Sequence, residues 1–459
     1  MLSVRLTISN ISRLCAALFF AFVLVGASAQ ENSPFSRYGI GEYYTNQHII
    51  SRSMGGLTAA YADGTNNNVG QSVNFSNPAT YGHFYMSTFD VAVTIDSRTL
   101  YSATPTGKFG SANFYPAYLA LGVPLNRVKG WGIAFGLKPI SRINYSVQSL
   151  QRIAGDSLQT LYEGSGGLNQ AFVGIGKRWG TFSLGINTGY NFGRKEIDTR
   201  KTFINDTVSY YSSKSSTNTN FGGVFLSGGM QYDLLLSKHT NTTAKTTESY
   251  MLRFGFTGTL QQRMKATQSI DRQTYTVSAS GDLKIDSVST QSDIAGTVQL
   301  PATYAAGVTF HKTAANSRGV FELWSVGAEY TSTQWTKYRF YDQADKLADS
   351  WQFKFGLQFA PDPLASRGYW NNVNYRAGFY MGKDYIDADG KGLKTFGVSL
   401  GAGLPIRKWS SYNDQFTVMN LALQFGKRGS AANNVTENYM QLSLGISLSD
   451  IWFVKRRYD

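Results

Sequence analysis

From about residue 87 onward, apolar and small polar residues alternate along the chain. In 182 to 192, Phe182, Leu184, Ile186, Tyr190 and Phe192 share one face, and Ser183, Gly185, Asn187, Gly189 and Asn191 share the other. Near the C-terminus Met440, Leu442, Leu444, Ile446 and Leu448 alternate with Gln441, Ser443, Gly445 and Ser447. A period of two is the mark of β-strands. A soluble sandwich would carry charge on its second face. Here that face is Gly, Ser, Asn and Gln, the arrangement expected for lipid outside and a polar lumen inside.

Fourteen such segments can be counted: 87 to 97, 113 to 124, 131 to 146, 167 to 179, 181 to 194, 219 to 235, 250 to 260, 300 to 312, 319 to 332, 349 to 360, 372 to 382, 392 to 405, 415 to 427 and 438 to 449. In lipid every backbone amide and carbonyl must find a partner, so a sheet of this size has to close. The expected fold is therefore all-β, a transmembrane antiparallel β-barrel of about 14 strands. Long polar connections follow odd-numbered strands (147 to 166, 195 to 218, 261 to 299), and mostly short turns follow even-numbered ones, with 237 to 249 longer than the rest. That asymmetry predicts surface loops at one rim and periplasmic turns at the other, with both ends of the barrel chain in the periplasm.

Residues 51 to 81 do not share the alternation. Four glycines, three consecutive asparagines and a proline make a turn-rich backbone whose apolar pieces, 57 to 60 and 73 to 75, are too short to form a core alone. This stretch reads as a plug that needs a host. The first 29 residues differ again: Arg5 and Arg13 precede the apolar run 14 to 26, and Ala27-Ser28-Ala29 fits a small-x-small cleavage site. About 13 apolar residues are too few to span a bilayer, so a signal peptide is expected. The division is then 1 to 29 signal peptide, 30 to 86 N-terminal segment and hatch, and 87 to 459 barrel.

Composition sharpens this picture. Among 459 residues, 42% are hydrophobic, 14% aromatic and only 16% charged, with 47 Gly and 10 Pro. Cys15 would leave with the signal, which excludes disulfides and thiolate metal sites in the mature chain. The net charge is +14, but no basic run exceeds Lys455-Arg456-Arg457, so the reading favours anionic outer-membrane lipid as partner and not nucleic acid. The four histidines, His48, His83, His239 and His311, are scattered outside metal-ligand spacing, and neither a Gly-x-Ser-x-Gly elbow nor a phosphate-cradling loop occurs. No catalytic residue, metal or cofactor is assigned, and the chain is not expected to be an enzyme.

Gly55-Gly56-Leu57-Thr58-Ala59-Ala60-Tyr61-Ala62-Asp63, followed by Asn74-Phe75-Ser76-Asn77-Pro78-Ala79, resembles the hatch of the long-chain fatty-acid transporter family of outer-membrane proteins, the FadL/TodX group. Residues 33 to 41 (SPFSRYGIG), 166 to 193 and 451 to 456 (IWFVKR) look like its Bacteroidota-type branch. The resemblance implies a monomeric Gram-negative outer-membrane barrel, with the hatch inside, that takes up hydrophobic small molecules and releases them sideways. It also implies an alternative, because barrels of this branch serve in secretion or assembly complexes without transporting. The Ser/Thr/Lys-rich connections show no apolar capture groove.

The hatch residues singled out are Gly55, Gly56, Asp63, Asn77, Pro78 and Ala79, with Asn77-Pro78 expected as a rigid turn. Alternation points Asp90, Asp96, Lys138, Arg142, Arg253, Glu329, Lys354 and Arg376 into the lumen. Two readings follow. Lys138, Arg142, Arg253, Lys354 and Arg376 grip a carboxylate head while Phe225 or Tyr380 contacts an apolar tail, or they pair with acids to seat the plug. Pro139 falls mid-strand, where it cannot donate to the ladder, so it marks either a bulge or a lateral opening in the third strand.

Overall fold

The computed structural model describes residues 33–452, except 45–46, 64–70, 154–155, 205–209, 242–245, 279–280, 317–318, 363–367, 388–389, 407–415 and 431. The predicted signal peptide and the end of the C-terminal tail lie outside the described residues. After a 3-10 turn at Pro34–Arg37 come β1 (Glu42–Tyr43), a short helix Ile49–Ser53 and a second 3-10 turn at Pro78–His83. The wall then begins with β2 (Ser87–Ala103), β3 (Thr106–Asn126), β4 (Trp131–Ile153), β5 (Asp156–Trp179), β6 (Phe182–Phe203) and β7 (Ser212–Asn241). It continues through β8 (Thr246–Thr259), β9 (Gln262–Ser278), β10 (Gly281–Leu300), β11 (Thr303–Asn316) and β12 (Gly319–Thr333). The two-residue β13 (Arg339–Phe340) precedes β14 (Ser350–Phe359), β15 (Asn374–Lys383), β16 (Lys394–Ile406), β17 (Phe416–Arg428) and β18 (Val435–Asp450).

Antiparallel pairing runs β2 to β8, then β11, β12 and β14 to β18, and returns to β2 through Val435↔Ser102 to Asp450↔Ser87. Those are 14 strands in a closed barrel, each overlapping one alternating segment of the sequence. β8 and β9 are one wall strand interrupted at 260 and 261, and β10 and β11 are another interrupted at 301 and 302. The upper part of β7 passes its pairing from β8 to β9 at Gly222↔Lys265.

The connections expected as long loops are instead mostly strand: β4 reaches Ile153, β6 reaches Phe203, and β9–β10 form a hairpin across 262 to 300. Once above the bilayer a hairpin needs only backbone pairing, so its side chains lose the apolar period that marks a strand in sequence. The barrel is consequently lopsided. β7 has 30 residues, whereas β14 and β15 have 10 each.

Outward positions such as Phe182, Leu184, Ile186, Tyr190 and Phe192 are exposed, and Ser183, Asn187 and Asn191 between them are buried inward. The lipid-facing apolar face and polar interior are thus as the alternation implied.

One ladder is short. β3 and β4 pair only from Asn126↔Trp131 to Leu119↔Leu137, although β3 runs back to Thr106 and β4 on to Ile153. The break falls at Pro139, where β4 also carries a bulge against β5 between Pro139 and Ser141. The N-terminal segment lies along the vacated edge of β4. Glu42 and Tyr43 pair with Arg142 and Ser141, Tyr44 N–H donates to Ile140 O at 3.0 Å, and Ser33 N–H donates to Asn144 O at 3.0 Å.

Candidate functional site

The plug occupies the lumen and meets the wall backbone to backbone. At several inward positions the wall residue is glycine, and a Cβ there would collide with the plug. At Gly132 it would lie 2.1 Å from Tyr81 O, at Gly185 2.3 Å from Pro78 O, at Gly255 2.0 Å from Ala59 O, at Gly356 2.3 Å from Met54 O and at Gly378 2.0 Å from Gly55 N. These wall glycines therefore form a seat with the plug's own outline. The converse holds at Gly55, whose φ of +67° is the left-handed region and whose Cβ would meet Phe355 O at 2.5 Å. Gly56, at φ +94°, packs on the Gln47 amide.

Side chains fix the plug on this seat. Glu329 on β12 accepts from Thr58 N–H at 2.6 Å and Ala59 N–H at 2.7 Å, and its other oxygen takes Lys354 Nζ at 2.9 Å from directly across on β14. Asp90 accepts from Val73 N–H at 2.6 Å and faces His48 Nε2 at 3.3 Å. Arg253 is held by Asp233 and donates to Ala62 O at 3.2 Å. Arg52, on the short helix, donates to Thr94 and Ser443 of the wall. Charge-assisted bonds of this kind are the strong ones in a water-poor interior.

The predicted Asn-Pro turn takes a specific form. Asn77 caps the 3-10 turn by accepting from Ala79 N–H at 3.0 Å, donates to Ala59 O at 2.6 Å, and has Pro78 at the first turn position. It ties the two halves of the plug together. Ala79 is fully buried. Asp63 accepts from Ser72 Oγ at 2.9 Å, and burial pushes its carboxyl above the ordinary range.

A second cluster closes the other end of the segment. Glu42 receives Arg98 and, at 3.0 Å, Arg428, together with Ser33 Oγ at 2.9 Å. Glu437 lies 3.3 Å from each guanidinium, Asp96 holds Arg98 at 2.6 Å, and Asp384 holds Arg428 at 2.6 Å. Burial opposes the Glu42 charge, but the two arginines overcome it and hold the carboxyl at about 2. Sequence reading missed Glu42, Arg98, Arg428 and Glu437. Extending the strand alternation a residue or two past the assumed strand ends would have placed Arg98, Arg428 and Glu437 inward.

The predicted lumenal cations part company. Lys354 and Arg253 are paired with acids and hold the plug. Arg376 donates to Gln358 at 2.6 Å and Asn420 at 3.1 Å. Lys138 stands 4.5 Å from the Phe75 ring and 5.5 Å from that of Phe172, with no hydrogen-bond acceptor among the described residues. It lines a cavity of about 390 Å³ shared with Phe225 and Gln170. Tyr380 lies elsewhere, its hydroxyl bonded to that of Tyr439. Arg142 does not accompany Lys138. The bulge after Pro139 shifts the alternation by one, so Ser141 faces inward to Ile40 O while Arg142 reaches across the seam to Asn113.

A closed 14-strand barrel with an N-terminal segment folded inside it is the FadL-like fold. A Pseudomonas aeruginosa FadL homologue superimposes with a TM-score of 0.52 at 10% identity, covering 91% of this chain and 100% of that one. The Ralstonia pickettii toluene transporter TbuX aligns at 0.49 and 13% identity over 88% of this chain and 98% of its own, and the Pseudomonas putida toluene transporter TodX at 0.49 and 14% over 90% and 100%. Within that fold, a BamG family profile matches residues 11–459, and the chain belongs to the BamG family. No curated protein sequence matches it.

Proposed function

We propose that this chain is a non-transporting barrel subunit of an outer-membrane assembly complex, with the N-terminal segment serving as a fixed plug. The observation that carries this reading is the glycine seat. A plug that moved would have to leave positions such as Gly255 and Gly378, where only backbone fits, and strip Glu329 of its three polar partners on the plug: Thr58 N–H and Oγ1 and Ala59 N–H. BamG family membership favours the same role. In this reading residues 1 to 29 are a cleaved signal peptide, 30 to 86 the plug and 87 to 459 the barrel. Both chain ends of the barrel lie in the periplasm, and the tall β4–β10 hairpins stand at the cell surface of a Gram-negative outer membrane. The partners are other proteins of the complex and the surrounding lipid, and no catalysis is involved.

A second reading, passive uptake of a fatty-acid-like molecule, draws on one observation. Lys138, Phe75, Phe172 and Phe225 line the cavity of about 390 Å³, next in sequence to Pro139 and the seam between β3 and β4, which would serve as the exit. Purification from native outer membranes in mild detergent, followed by mass spectrometry of both proteins and extracted lipids, separates the two. Stoichiometric partner proteins on an otherwise empty barrel support the subunit. A stoichiometric hydrophobic ligand lost in Lys138→Ala, with no partner protein, overturns it.

A further inference from the structure

The outer face of the tall wall carries a feature that neither reading uses. Residues directly opposite in antiparallel register share a face. Arg142 on β4, Gly167 on β5, Arg194 on β6 and Asn220 on β7 form one such row, and Pro139, Asn169, Phe192, Gly222 and Lys265 form the row beside it. Arg194, Asn169, Asn220 and Lys265 are exposed while their chain neighbours Lys195, Leu168, Thr219 and Met264 are buried, so both rows face outward. Gly167 and Gly222 leave the middle of the patch without side chains. The result is a cleft of about 770 Å³ that opens onto the seam at Pro139.

Its position on the wall decides what it suits. Down β6 the outward residues are Tyr190, Thr188, Ile186, Leu184 and Phe182, an exposed and mostly apolar, aromatic band. Up the strand the same face turns to Arg194. The cleft thus sits where an aromatic girdle gives way to charge, the level of lipid headgroups. Arg194 and Lys265 have no hydrogen-bond or ion-pair partner among the described residues, and the nearest carboxylate on this face, Glu196, lies a row further up and accepts from Ser165.

We propose that this cleft is a binding site for the phosphorylated headgroup of a membrane lipid. Arg194 and Lys265 hold the phosphate over the glycine floor, Arg142, Asn169 and Asn220 supply further donors, and the acyl chains descend along Tyr190, Leu137 and Val224. The site does not depend on whether the barrel transports or serves a complex.

Native mass spectrometry of the full-length protein, delipidated in detergent, tests this with three probes: a phosphatidic acid, the diacylglycerol with the same chains, and inorganic phosphate. The phosphatidic acid adduct is expected to outlast the other two, and Arg194→Gln/Lys265→Gln to weaken it by about tenfold. R194K/K265R retains binding, and Arg200→Gln, higher on the same strand, leaves it unchanged. Because Arg194 is exposed, R194Q alone serves if the double variant does not fold. Equal retention of diacylglycerol, undiminished binding in R194Q/K265Q, or loss in R200Q overturns the proposal. Phosphate binding as tight as that of the lipid assigns the cleft to a free anion and overturns it as well.

Discussion

Two regions of the barrel are closed in different ways. Around β6, β8, β14 and β15 the plug sits on the wall by shape: glycine backbone against backbone, with Glu329 of β12 and Lys354 of β14 buried at the contact. Between β3 and β4 the wall itself is incomplete, and the N-terminal segment lies along the free edge of β4 with a two-residue strand and a few backbone bonds, held by the Glu42 clamp to β2 and β17. The first closure has no room for adjustment. The second rests on charge and on a strand too short to be stable alone. If any part of this molecule opens, the seam should open before the seat.

The sharpest way to break that contrast is at Glu329. Glu329→Ala leaves Lys354 buried without its carboxylate and orphans Thr58 and Ala59 N–H, for an expected loss of about 3–5 kcal/mol. Glu329→Ala with Lys354→Met should recover part of it, and urea unfolding in detergent measures both. Next, Gly378→Val forces a side chain into Gly55 at the plug. It should destabilise by about 1–3 kcal/mol, and a barrel that still migrates as folded on unheated gels with undiminished stability would break the shape argument.

At the seam the effects are smaller and local. Glu42→Gln keeps the side chain's size but removes its charge, and should leave the barrel folded while making residues 33 to 44 sensitive to protease. Acid should do the same. With its carboxyl held at about 2, below the ordinary 4.5, the clamp contributes fully above about pH 4.5 and is lost as pH falls toward 2. Protection unchanged at pH 2.5 would show that Glu42 is not the latch. The smallest effect is expected from Pro139→Val, which restores an N–H donor at the break. Hydrogen exchange at 137 to 142 should slow if proline alone ends the ladder, and stay fast if the N-terminal strand holds the edges apart.

Much of this was legible in the chain. Period-two alternation located every barrel strand because lipid and lumen impose opposite demands on adjacent residues, and that constraint acts locally. The plug was legible as a stretch that matched no strand, and Pro139 as a break, since proline cannot donate wherever it sits. Paired roles were not legible. Asp233 holds Arg253 through the register of β7 on β8, and Glu42 lies between Arg98 and Arg428 across sequence separations that only the closed barrel brings together. Arg142 left the lumen because a single bulge residue reversed the alternation, a register change that only the pairing with β5 discloses. The long hairpins escaped notice for a related reason: outside the membrane neither face is required to be apolar. The sequence by itself determined which residues face lipid and that something must fill the barrel. The tertiary structure decided which glycines fit the plug and which charges meet, because these depend on contacts between strands remote in the chain.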